Sequence, residues 1–409
     1  MRTIRLREHQ PQIVRLSGDE LQDLLALVPR LIEISRQKDG LYKLKAKSRV
    51  GTAVLGSIRL LIRPKVGLPN VFFLLGYTNN IRWGGGDFPY EEDDLFKAVA
   101  WWFDREVARA SRYGPSRAYV DREETLTTIR GRIALDRQLA ARPGRRFPIE
   151  CRFQEYSEDT PLNRLLKAAH VALLRLPQLD REAAVRFRHR TRQFFGAVET
   201  AEYSLATLPV IAFNRLNRHW ESAARLARLI LQQRSIRDED GKIVGTTFTI
   251  DMNQLFERFI ETVVEERVRD TSYTLETQAR RRLTSAGRSL SNVVVPAINM
   301  RPDLVLKAGN TAVAVGDAKY KELLRIGDWE HPDIYQLIAY CVRLELREGL
   351  LIYAGDRPLT QSTIIGSQIT LSTIGVDLSG FPQAVLQQAR RGADALIAIA
   401  ARHSASVAA

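Results

Sequence analysis

Asp303, Asp317 and Lys319 stand at the far ends of two apolar runs in RPDLVLKAGNTAVAVGDAKYK, residues 301–321. Carboxylates beside a lysine can hold a divalent cation and steady the charge that builds on a phosphate under attack. Register decides whether these three can meet. Side chains alternate across a strand, so Val313, Val315, Asp317 and Lys319 take one face and Ala312, Ala314, Gly316 and Ala318 the other. In the preceding strand Asp303 shares its face with Val305 and Lys307. A turn centred on Asn310, with Gly309 and Thr311 completing the loop, sets Asp303 across from Asp317, with Cβ atoms about 5 Å apart. A two-residue loop would send the aspartates to opposite faces, so a longer turn or a bulge is predicted. Carboxylates at that spacing repel unless a cation lies between them. Mg²⁺ suits the place, since it takes one or two carboxylates together with waters and phosphate oxygens. The bland alternative is a surface hairpin with an ordinary Asp/Lys ion pair.

These residues need a scaffold, and the small residues opposite them would let a helix pack closely, as on a central strand of a layered α/β domain. The chain has 409 residues, 45% of them hydrophobic, which is enough for more than one core and suggests two or three domains. No run approaches the roughly 18 apolar residues of a membrane span. The start, MRTIRLREHQ, lacks the apolar segment of a signal peptide, so an intracellular, cytoplasmic protein away from membranes is expected. Cys151 and Cys341 lie far apart without metal-ligand spacing and read as buried reduced thiols. A net charge of +14 favours a polyanionic partner such as nucleic acid.

Three parts are expected. Residues 1–115 read as a β-rich N-terminal domain with helices, from alternating runs such as YKLKAKSRV and IRLLIRP. Helical spacing follows in EEDDLFKAVAWWFDREVARA, where Asp93 and Asp94 open a stripe of Leu95, Ala98, Val99 and Trp102. Residues 116–240 read as an arginine-rich, mostly helical region. One of its helices opens at SEDTPLNRLLKAAHVALLRL with Pro161 in the first turn, and another carries Leu216, Trp220, Ala223, Ala224, Ala227 and Ile230 on one face. VRFRHRTRQFF, residues 185–195, interleaves basic and aromatic side chains, as a phosphate-tracking surface or a solvated helix face would. The polar break RDEDGK, 237–242, marks the boundary to a last part at 241–409, whose final SASVAA is expected to fray. WGGGDFPYEEDD, 83–94, reads as a turn, because the acids that follow its glycines would repel phosphate.

Arg301-Pro302-Asp303 followed by Asp317-Ala318-Lys319 resembles the PD-(D/E)xK nuclease motif. Together with FTIDMNQLFERFIE at 248–261, RGRI at 130–133, EDTPLNRLLKAA at 158–169 and DAKYK at 317–321, the chain is similar to the McrC family, the nuclease subunit of McrBC-type restriction systems acting on modified cytosine. The likeness is good from about 125 to 355 and thinner before, where LPNVFFLLGY at 68–77 matches best.

The resemblance implies a C-terminal restriction-endonuclease-like α/β domain with a central mixed sheet, so that the whole is a multidomain α+β protein. It implies Mg²⁺-dependent cleavage of double-stranded DNA in concert with a McrB-like AAA+ GTPase hexamer, which this chain stimulates through a finger from its non-nuclease part. The motor must lie in another chain, because no GxxxxGK[ST] occurs here. Members of this nuclease fold often lend a helix carboxylate to the metal, which makes Glu257 in DMNQLFERFIETVVEERV the candidate third ligand; a plain exposed glutamate is the alternative. Gln336 and Tyr340 in DIYQLIAYCVRL, one helical turn apart, resemble the QxxxY pair that orients the lysine or contacts DNA, with core packing the alternative for Tyr340. Two other functions stay open: an assembly subunit that activates an AAA+ ring with an idle nuclease, and a stand-alone DNA-repair nuclease of the same fold.

Overall fold

The computed structural model describes residues 1–27, 31–83, 94–145, 147–176, 179, 181–232, 235–237, 243–284, 287–288, 294–321 and 331–408. Residues 238–242 of the expected polar break and 84–93 of the glycine-rich run lie outside them.

The first strands are β1 (Arg2–Arg7), β2 (Pro11–Arg15), β3 (Ile32–Arg36), β4 (Leu41–Ala46), β5 (Arg49–Leu55) and β6 (Ile58–Arg63), with alternation clearest in β1 and β4 and near-continuous burial in β5. β1 buries Ile4 and Leu6 and leaves Arg5 and Arg7 outward. Three helices accompany these strands: α1 (Gly18–Leu25), α2 (Leu68–Thr78) and α3 (Leu95–Ala110). The Asp94 carboxylate caps α3 by accepting the Phe96 and Lys97 amides, and it pairs with Arg59 at 2.6 Å. The expected stripe of Leu95, Ala98, Val99 and Trp102 is buried.

The middle stretch differs from expectation. It holds α4 (Leu135–Ala141), α5 (Pro161–Leu174), α6 (Arg181–Phe195) and α7 (Glu221–Gln232), but it opens on a three-stranded antiparallel sheet, β7 (Ala118–Leu126), β9 (Ile149–Ser157) and β8 (Arg132–Ile133), with β9 in the centre. α5 starts at Pro161 under a Thr160 cap. α7 begins only at Glu221, so Leu216 lies before it and is 81% exposed, whereas Trp220, Ala223, Ala224, Ala227 and Ile230 are buried.

The boundary expected at 240 does not separate sheets. β10 (Ser235–Arg237) and β11 (Ile243–Asp251) belong to the first sheet, in the order β1-β6-β5-β11-β10, with Asp251 of β11 opposite Arg49 of β5. Asp251 then caps α8 (Met252–Val268) through the Asn253 and Gln254 amides. The expected stripe of Met252, Leu255, Phe256, Phe259, Ile260, Val263 and Val264 is buried.

Beyond α8, β12 (Thr274–Thr277) is followed by two short ladders, β13 (Arg281–Arg282) with β16 (Asn299–Met300) and β14 (Gly287–Arg288) with β15 (Val294–Val295). β17 (Leu304–Ala308), β18 (Thr311–Lys319), β19 (Glu348–Ala354), β20 (Thr360–Thr363) and β21 (Thr370–Val376) join β12 in a mixed six-stranded sheet of order β12-β17-β18-β19-β21-β20. β18, β19 and β21 run parallel and the other pairs antiparallel. α9 (His331–Leu344) covers the face of Val305, Val315, Leu351 and Tyr353, and α10 (Pro382–Ala408) with α8 covers that of Leu304, Ala314, Leu350 and Ile352. α10 runs through Ser404 and Ser406, so the tail expected to fray is helical to Ala408. The α8/α10 side is continuous with the core of the first part, one apolar body from Ile4 to Ala400. Among the described residues no helix is long and apolar enough to cross a membrane.

Candidate functional site

The β17–β18 hairpin has a two-residue turn and a bulge. Ala308 pairs with Thr311 and Lys307 with Ala312, then the register shifts so that Leu306 pairs with Ala314 and Leu304 with Gly316. Val313 is the extra residue. One step further along this register Asp303 faces Asp317, the outcome predicted from the need for a bulge. The bulge also corrects one detail: Val313 packs with the α8/α10 core and Ala312 against the α9 core, the reverse of simple alternation.

Both aspartates are buried. Asp303 Oδ2 accepts the Ala318 amide at 3.0 Å, which ties it to the neighbouring strand beside Asp317. Burial raises the pKa of each carboxyl above its ordinary value; the charge of Asp303 adds to the rise at Asp317, and that of Glu257 adds to the rise at Asp303. Lys319 Nζ lies 2.5 Å from Asp317 Oδ2 and donates to Gln336 Oε1 at 2.8 Å. Burial opposes the Lys319 charge, but Asp317 and Asp303 outweigh it and lift its pKa. Gln336 Nε2 in turn donates to the Tyr340 hydroxyl at 2.7 Å, and burial with the two aspartates' charges pushes that phenol's pKa up. Strand end and helix face therefore form one chain, Asp317–Lys319–Gln336–Tyr340. The QxxxY spacing works because residues four apart on α9 project from the same side.

Glu257 approaches from α8. Burial, followed by the charge of Asp317, pushes its carboxyl up to about 7, so it stands within electrostatic reach of the aspartates. Among the described residues, however, no three His, Cys, Asp or Glu side chains gather closely enough to hold a metal ion, so Glu257 does not complete a three-ligand set here.

One neighbour was missed. Buried Asp333 lies one turn before Gln336 on α9, holds Lys321 Nζ at 3.1 Å from each carboxylate oxygen, and accepts the Tyr353 hydroxyl at 3.4 Å. Its spacing of three from Gln336 and seven from Tyr340 was the available signal. Elsewhere, the aromatic–basic run of α6 buries Phe187 and Phe195 against His170, and Arg190 pairs with Asp104 at 2.5 Å. Those rings are core, not a stacking surface for bases. Cys151 and Cys341 are free and buried, as expected.

Comparison with known proteins identifies the family. The model of the McrBC 5-methylcytosine restriction system component family matches residues 44–354. The chain belongs to this family. Glu257, Asp303, Asp317, Lys319, Gln336 and Tyr340 all fall inside the matched span. A solved structure of a half-complex from a tetradecameric assembly of Thermococcus gammatolerans McrB AAA+ hexamers with bound McrC contains a chain similar in fold, with TM-score 0.62 and 19% identity over 96% of this chain and 100% of that one. A second structure, of the Thermococcus gammatolerans McrBC complex, aligns with TM-score 0.46 and 21% identity over 66% of this chain and 89% of that one. No curated protein matches. The family's matched span joins the first sheet to the β17–β18–α9 site, so it includes both strands of the β5–β11 pair and the hairpin.

Proposed function

We propose that this chain is the nuclease subunit of an NTP-driven restriction complex. It cleaves methylcytosine-containing DNA by Mg²⁺-dependent phosphodiester hydrolysis and stimulates a McrB-like AAA+ GTPase hexamer. In this reading the last part, expected at 241–409, is a PD-(D/E)xK, restriction-endonuclease-like domain and the chain works in the cytoplasm. The observation that carries it is the meeting of Asp303, Asp317 and Lys319 at the paired ends of two buried strands, with the lysine held by Gln336.

The aspartates suit a divalent cation. They are buried side by side, the charge of Asp303 disfavours that of Asp317, and Asp317 Oδ2 has no hydrogen-bond partner among the described residues beyond its ion pair with Lys319. Asp303 and Asp317 would hold Mg²⁺, and waters or phosphate oxygens would fill the remaining positions. When bound, Mg²⁺ supplies Lewis-acid polarisation of the phosphate and a lowered pKa for a coordinated water. Glu257 acts at longer range, as a carboxyl titrating near neutrality and able to accept a proton from water at the site's edge. Lys319 presents a fixed cation to the charge that develops on the phosphate. Gln336 holds that ammonium in place, and Tyr340 holds Gln336.

The partner follows from family and fold, since the similar structure contains McrB AAA+ hexamers with bound McrC and this chain has no P-loop motif of its own. The test is a nuclease assay of the chain with and without its co-purified AAA+ protein, on methylated and unmethylated DNA. Cleavage should require the partner, NTP, Mg²⁺ and methylation together. Robust cutting by the chain alone on any DNA would instead indicate the stand-alone nuclease. Stimulated hydrolysis without cutting would indicate the assembly subunit.

A further inference from the structure

Tyr320 separates Lys319 from Lys321 where β18 leaves its sheet, and it does not point into the site. Its side chain is 2% exposed. Its hydroxyl donates to Glu8 Oε2 at 3.1 Å, Lys65 Nζ lies 4.1 Å from its ring centroid, and its ring meets that of Phe256, the residue before Glu257, at 6.2 Å. Glu8 follows directly on β1 and is 2% exposed. Its Oε2 also accepts the Lys65 amide, two residues past β6, at 3.2 Å, and its Oε1 lies 3.5 Å from His9 Nε2. One buried carboxylate from the first sheet therefore grips both the end of β6 and the residue next to Lys319.

Neighbouring side chains in extended backbone point to opposite sides, so clamping Tyr320 fixes the rotation of the strand end that aims Lys319. Gln336 constrains only the tip of the lysine. The backbone beneath it is set by the Tyr320 knot. Groups acting on a reacting phosphate lose up to about 100-fold in rate when displaced by about 1 Å, so this anchoring matters to chemistry and not to folding alone.

We propose that Glu8 and Tyr320 are positioning residues: their buried hydrogen bond fixes the end of β18 so that Lys319 addresses the phosphate, which makes the nuclease geometry depend on the first sheet. This rests on the nuclease reading above. Neither residue touches substrate, and their effect runs through Lys319.

The experiment uses the full chain with its AAA+ partner on methylated DNA. Tyr320→Phe deletes only the hydroxyl. It should lower kcat about 10- to 100-fold at unchanged KM, with stimulation of the partner's NTP hydrolysis intact and a melting temperature close to wild type. Glu8→Gln keeps an oxygen to accept the hydroxyl and should recover most of the activity that Glu8→Ala loses. Tyr320→Phe stands as an independent readout where Glu8→Ala fails to fold. Wild-type kcat in folded Tyr320→Phe overturns the proposal while leaving the nuclease reading standing, and so does a loss of kcat matched by an equal loss of NTPase stimulation. A wild-type chain that never cuts with its partner removes the nuclease reading, and this inference with it.

Discussion

Lys319 is the residue on which chemistry and structure separate most cleanly. Its ammonium touches Asp317 and Gln336, whereas its strand is held by the apolar cores on either side. Lys319→Ala should therefore abolish cleavage, by 100-fold or more, since a group stabilising developing charge is worth roughly 3–4 kcal/mol. Melting temperature and stimulation of the partner's NTP hydrolysis should stay near wild type. Cleavage that survives the change would reduce the hairpin to a hairpin. His170 offers the opposite case, a titratable group with a purely structural role. It is fully buried among Phe103, Phe187 and Phe195, with Nδ1 2.9 Å from the Leu166 carbonyl and Nε2 unpartnered among the described residues. Burial lowers its pKa to about 4, whereas in the unfolded chain it titrates near 6.5. The folded ring stays neutral while the unfolded one takes a proton. Its contribution is therefore complete above about pH 6.5 and is lost as pH falls toward 4, up to about 3 kcal/mol. Denaturant midpoints between pH 4 and 7 should fall less steeply with acid in His170→Phe than in wild type. Equal slopes would mean that another group carries the acid sensitivity.

At the scale of elements, what could be read in the residues depended on whether a segment buries one face. The β17–β18 register was legible because apolar runs alternate and only one alignment brings Asp303 to Asp317. The Gln336–Tyr340 pair was legible from helical spacing, and by the same reasoning Asp333 should have been. β7 was not, because the half-buried face of AYVDREETL carries charged Arg122 between Val120 and Leu126, so its apolar period is interrupted. β9 did carry the signal, with Ile149, Cys151 and Phe153 buried at alternate positions, but it was outweighed by the helical text that follows. The pairing of β11 with β5 joins segments about 200 residues apart, and no local pattern encodes it. The expected close helix over the small face of β18 can be tested directly. A Cβ at Gly316 would stand 3.3 Å from Leu396 Cδ1 on α10 and 3.4 Å from Leu304 Cδ1. Gly316→Val should destabilise the chain by about 1–3 kcal/mol through overpacking. Adding Leu396→Ala should recover part of that loss, measured as the denaturation midpoint of the double variant against each single one. Additive losses would show that α10 does not press on that strand.

For the whole molecule, the physical unit is larger than any of the three expected parts. β11 supplies the partner that β5 needs, and it leads without a break into α8, which covers the six-stranded sheet. Asn70 of α2 donates to the Leu378 and Gly380 carbonyls at 2.6 and 2.8 Å, the Tyr77 hydroxyl bonds Glu266 of α8, and Glu8 bonds Tyr320. Beneath these contacts one apolar core runs from the first strand to the last helix. Separating the halves would expose the α2, α8 and α10 faces to water at roughly 25 cal/mol for each Å² of apolar surface. It would also leave β5 with an unpaired edge. A fragment of residues 1–240 should therefore aggregate or stay unfolded, because it lacks the strand at 243–251. The intact chain should melt in a single calorimetric transition whose van't Hoff and calorimetric enthalpies agree. Two resolved transitions, or a stable monomeric 1–240 fragment, would show that the six-stranded sheet and its helices fold apart from the first sheet. Its geometry could not then depend on Glu8, so the cooperativity measured by calorimetry and the kcat of Tyr320→Phe must agree.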